Sequence, residues 1–136
     1  MLTLIVQCRI NIMLQIDDKD FNDIVATAAT NVPEPYKSRL NDVAFLVRNK
    51  PSAAQRQSLG LSENSLLFGL YEGVPLTKRG GAVKVLPDKI TIFKDPFLLV
   101  SASREDLIRR VNNTVWHEVA HYFGLDHKMI HRLENK

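Results

Sequence analysis

The stretch from Ser103 to Gly124, SREDLIRRVNNTVWHEVAHYFG, limits the possible folds more than any other part of the chain. Ser103 offers a side-chain oxygen for capping, Asp106 three residues on completes a box, and Gly124 suits the left-handed conformation that ends helices. Apolar residues recur between them at helical spacing, which predicts one long amphipathic helix. At about 100° per residue, Leu107, Ile108, Val111, Val115, Val119 and Tyr122 gather on one side, and this is the face expected to meet a core. Arg110, Thr114, His117 and His121 line a separate stripe, and Trp116 lies on neither, which gives it a covering role.

The polar stripe is where chemistry concentrates. His117 and His121 are one turn apart, about 6 Å along the axis, so both imidazoles can reach a single ion. Glu118 projects beside them, near enough to act on water at that ion without ligating it. Gly124 allows the backbone to turn back, and three residues later His127 can close a third corner of a tetrahedron. The fourth corner is left to water, as in catalytic zinc sites. Chance does not explain the pattern: shuffling this composition gives about 0.004 expected occurrences of H-E-x-x-H. A solvated helix end, where basic side chains are favoured, accounts for histidines in the last turn but not for the glutamate, the glycine and the third histidine together.

The remainder must supply elements for this helix to pack on. Asp17 with Asp20 forms a capping arrangement, and Phe21, Ile24, Val25 and Ala28 predict a first amphipathic helix that ends before Pro33. Extended segments are expected at 43–48, 66–71, 82–86 and 89–94, separated by prolines and glycines. The fold class is therefore α+β: a small mixed sheet against an N-terminal helix and the long, zinc-binding helix. With 136 residues, 45% hydrophobic and 24% charged, the chain suits a single domain over 1–136 that buries its core without disulfides. Residues 1–12 read as an extension ahead of a start at Met13. Cys8 is the one cysteine, which favours a reducing compartment. MLTLIVQC lacks a basic leader and a small-residue cleavage site, Gln7 is wrong for a lipoprotein signal, and no apolar run approaches the roughly 20 residues that span a bilayer. A cytoplasmic protein without membrane contact is expected. The net charge of +3 comes from 18 basic and 15 acidic residues scattered along the chain, a weak pointer to nucleic acid.

HEVAHYFGLDH resembles the extended zincin signature H-E-x-x-H-x-x-G-x-x-H/D, and LYEGVPLTKRGG followed by PDKITIFKDPFL resembles a family of small bacterial zincin-like metallopeptidases with a minimal fold. The resemblance runs from about Asp17 to Leu133. It implies one zinc ion held by His117, His121 and His127, Glu118 as general base and acid, and a peptide or protein substrate. That family more usually carries Asp at the third ligand position, so His127 is a departure, and neighbouring Asp126 enters as a rival donor. Met129 lies too close to His127 to form the Met-turn of metzincins. Three neutral imidazoles leave the ion's double charge intact where a carboxylate would cancel one unit, so a more acidic activated water is expected here than in an Asp-ligated relative.

Other residues have weaker claims. Substrate is expected to lie extended along an edge strand near 66–71, with Tyr71 as a candidate oxyanion donor and Arg79 as a candidate partner for a substrate carboxylate. Arg110 and Thr114 are candidates to bond the outer ring nitrogens of the histidines, and His131 is a spare ligand or part of a short terminal helix. Two rival functions remain. Metal-dependent endoribonucleases that mature ribosomal RNA carry a similar H-x-x-x-H-x-x-G-x-D-H spacing, but with glycine where this chain has Glu118. A catalytically silent zinc-binding protein would want a fourth protein ligand and no carboxylate beside the ion.

Overall fold

The computed structural model describes residues 14–40, 42–74 and 87–134. Helix α1 (Asp18–Thr30) starts at Asp17, whose carboxylate accepts the Asp20 amide, and buries Phe21, Ile24, Val25 and Ala28. A 3-10 turn (Lys37–Arg39) leads into β1 (Val43–Arg48). Helix α2 (Ala53–Leu59) follows, then β2 (Gly69–Glu72), β3 (Asp88–Phe93), α3 (Lys94–Val100), α4 (Arg104–Phe123) and α5 (His127–Glu134). The strands form one mixed sheet in the order β1-β3-β2, with β1 parallel to β3 and β2 antiparallel to it. This is the α+β arrangement expected, with the long helix where its caps place it.

Several boundaries differ from the sequence pattern. Of the expected extended segment 66–71, residues 69–71 enter β2 while Leu66 is exposed. Lys94 leaves the last strand and opens α3, where Pro96 is tolerated because it falls in the first turn, where amide hydrogens have no intrahelical acceptor. Helices α2 and α3 were not anticipated. Ser52 and Gln55 cap α2 reciprocally, and Gly60 closes it at φ 66°. The expected strand 82–86 lies outside the described residues, as do residues 1–12.

The core lies between the sheet and two helices. Ile90 and Ile92 of β3 share one buried cluster with Leu107, Val111, Val115 and Val119 of α4 and with Phe21, Ile24 and Val25 of α1. Each such side chain contributes about 1.5–3 kcal/mol when fully buried, so α4 is held along its whole length rather than at its ends. Polar ties fix the helix ends: Asn31 Nδ2 donates to Asn112 Oδ1 at 3.0 Å, Arg104 pairs with Asp20, and Lys94 Nζ donates to Asp18 at 2.8 Å. Among the described residues no helix is long and apolar enough to cross a membrane.

Candidate metal centre

The site is built on the last two turns of α4 and its exit. Ser103 accepts the Asp106 amide at the start of that helix. At its end Gly124 adopts φ 72°, its amide donates to the His121 carbonyl, and the Leu125 amide donates to that of Ala120. This left-handed cap satisfies the terminal carbonyls and sends the chain back past the helix. Asp126 then starts α5: its carboxylate accepts the Met129 amide at 2.7 Å. Three residues past the glycine, His127 opens that helix, and Ile130, 1% exposed, pins the helix to the core.

These turns bring the predicted residues together. His117, Glu118 and His121 each offer a donor atom, and all three atoms lie within 4.8 Å of one another. The imidazoles of His117 and His121 stand 4.6 Å apart between ring centroids. His127 faces the same space at 6.1 Å from His117 and 6.3 Å from His121. Three imidazoles around zinc at about 2.0–2.1 Å would have centroids roughly 5 Å apart, so the His127 ring stands about 1 Å outside that spacing, and the group of donor atoms brought together is His117, Glu118 and His121 without it. Neutral nitrogen donors in this number suit zinc, and the residues present fit the ion.

Glu118 is buried, 7% exposed, and its Oε2 lies 3.3 Å from His121 Nδ1. That contact raises the His121 pKa, and partial burial of the ring opposes the rise. Asp126, the rival donor to His127, accepts the Met129 amide through Oδ1 as the α5 cap. Thr114 Oγ1 donates to the Arg110 carbonyl at 2.9 Å and Arg110 Nε to Asp106 at 3.1 Å, so these hydrogen bonds stay on the helix and do not reach the histidine rings. Tyr71 donates to buried Asp88 at 3.0 Å rather than opening toward a substrate, and its ring meets that of Tyr122 edge-on. Trp116 is buried under Tyr36, with ring centroids 5.3 Å apart, instead of covering the surface. Position 131 falls in α5, but its side chain, like Arg79, lies outside the described residues.

Gly69 of β2 was missed by the sequence reading. A side chain there would collide with α4: its Cβ would stand 2.8 Å from Thr114 Cγ2 and 3.1 Å from Glu118 Cγ. The available signal was an isolated glycine within an extended segment, which marks close backbone approach.

A family model for zincin-like metallopeptidases matches residues 40–136, which contain every element from β1 onward. No curated protein matches the chain.

Proposed function

The chain belongs to the zincin-like metallopeptidases, and on that premise we propose that it is a zinc-dependent peptidase, with His117, His121 and His127 as zinc ligands and Glu118 as general base. The observation that carries this reading is the meeting of the His117, Glu118 and His121 donor atoms within 4.8 Å on one helix turn. His121 turns Nδ1 toward Glu118, so Nε2 is the nitrogen that offers a lone pair to a metal. Zinc, when bound, polarises the scissile carbonyl and makes a water acidic enough to lose its proton near neutral pH.

Glu118 takes that proton and returns it to the leaving amine. Burial between α4 and β2 limits its rotamers, so the carboxylate does not have to be ordered at the moment of reaction. The substrate is an extended peptide lying along β2, which is at one edge of the three described strands and passes Glu118 at Gly69. Tyr71, engaged with Asp88, has no part in this scheme. The lone Cys8 agrees with action in a reducing compartment, the cytoplasm.

The test is metal analysis with a peptide and RNA cleavage screen, run on wild type, Glu118→Ala and His117→Ala. Stoichiometric zinc with peptide cleavage lost in both variants is the expected result. Peptide cleavage that survives Glu118→Ala overturns the assignment. RNA cleavage that needs His117 and not Glu118 would move the protein to the nuclease reading.

A further inference from the structure

Gly69 is buried and pairs with Ile92 in the ordinary antiparallel ladder of β2 and β3. It does not have the left-handed φ that Gly60 and Gly124 show, so its backbone conformation does not call for glycine. Space does. A Cβ at this position would meet Thr114 Cγ2 at 2.8 Å, Glu118 Cγ at 3.1 Å and Ile92 Cδ1 at 3.4 Å. The first distance is one that carbon atoms do not adopt, the second is tight, and the third is ordinary packing. These neighbours differ in how they can respond. Thr114, half-buried and hydrogen-bonded to the Arg110 carbonyl, would be met first and would have to shift, whereas Ile92 is fully buried in the core. Glu118 Cγ would also have to give, by a few tenths of an ångström.

We propose that Gly69 is a positioning residue for Glu118: its missing side chain leaves a seat between β2 and α4 for the Glu118 methylene, which directs the carboxylate along the helix toward His121. The neighbouring contacts agree with this. Two residues along β2, Tyr71 meets Tyr122, one helix turn beyond Glu118, so the strand follows the helix axis and Gly69 lies against the turn that carries Thr114 and Glu118. Serine or alanine at 69 would keep the strand paired and push Glu118 Cγ aside by a few tenths of an ångström, shifting the side-chain torsions that aim its carboxylate. The inference rests on Glu118 as the base for its catalytic consequence, but the side-chain placement itself can be measured without turnover.

The test must separate positioning of Glu118 from simple strand-to-helix packing. Gly69→Ala alone mixes the two, because the new methyl strikes Thr114 as well. In Gly69→Ala/Thr114→Ser the serine keeps a hydroxyl for the Arg110 carbonyl and removes the methyl that alanine would hit, while the contact with Glu118 Cγ remains. Thr114→Ser alone is the reference. Four quantities are compared: melting temperature, zinc affinity by chelator competition, Glu118 χ1 from three-bond NMR couplings, and peptide turnover. The double variant should match the reference in melting temperature and zinc affinity, show altered Glu118 couplings, and lose at least about tenfold in kcat with KM little changed. Couplings equal to those of the reference overturn the proposal, as does full recovery of kcat with the melting temperature. If wild type cleaves no peptide, the peptidase reading fails, and the couplings still decide whether Gly69 seats Glu118.

Discussion

Ile130→Ala is the substitution that best tests how the third histidine is held. Ile130 is 1% exposed while Met129 beside it is 38% exposed, so among the described side chains of α5 it is Ile130 that docks the helix. His127 opens the same helix, whose start is fixed by Asp126. Truncation to alanine removes three buried carbon groups, worth about 2.4 kcal/mol at roughly 0.8 kcal/mol each. Short terminal helices sit at the low end of local stability, so much of that loss should appear as undocking of α5 rather than global unfolding. If docking is needed to present His127, zinc affinity falls by up to about 50-fold, since 1.4 kcal/mol is tenfold. Chelator competition measures the affinity, and amide exchange in α5 measures the docking. Met129→Ala serves as control and should leave both unchanged. In a His127→Ala background, Ile130→Ala should cost no further affinity. Wild-type zinc affinity in Ile130→Ala, with α5 exchange accelerated, would refute His127 as a ligand presented by α5.

Three further outcomes follow from the same geometry. Gly124→Ala forces a side chain into φ 72° and should cost about 1–2 kcal/mol, a fall of several degrees in melting temperature; an unchanged melt would mean the cap relaxes freely. The Asp106 carboxyl is held at about 2, below its usual 3.8, first by the Ala102 amide and then by Arg110 and Arg109. A depressed folded-state pKa stabilises above the unfolded value and is lost as pH falls through the folded one, so the stability gap between metal-free wild type and Asp106→Asn should close between about pH 4 and pH 2. A gap that persists at pH 2 contradicts this account. His127→Asp cancels one unit of the ion's charge, and the acidic limb of the pH–rate profile should move to higher pH; a limb that stays in place removes the argument from ligand charge.

The meeting of His117, Glu118 and His121 was legible in the sequence because the three are close along the chain. His117, Glu118 and His121 fall on one helix turn, and Gly124 brings His127 back by a local backbone geometry that only the glycine had to announce. Helix α1 was legible for a related reason, since its cap and its buried stripe are both written within thirteen residues. Helix α2 has a full capping box but buries no side chain, so the apolar periodicity that signals a helix is absent, and only the Ser52 and Gln55 pair pointed to it. Helix α3 spans seven residues with a proline in its first turn, too short for a period to show. Asp126 and Tyr71 illustrate a different limit: each has the right chemistry for a site role, and each has a partner that a spacing rule does not weigh, the Met129 amide on Asp126 Oδ1 and the Asp88 carboxylate on Tyr71. Gly69 lies farthest from legibility. What it accommodates is at 114 and 118, some forty-five residues away along the chain, and its informative feature is an atom it lacks. Spacing along one helix thus announces which side chains can meet, whereas the room that Glu118 occupies depends on a nonlocal contact; on the proposed reading, a zincin motif complete in sequence would still turn over poorly if the strand facing its glutamate carried a side chain.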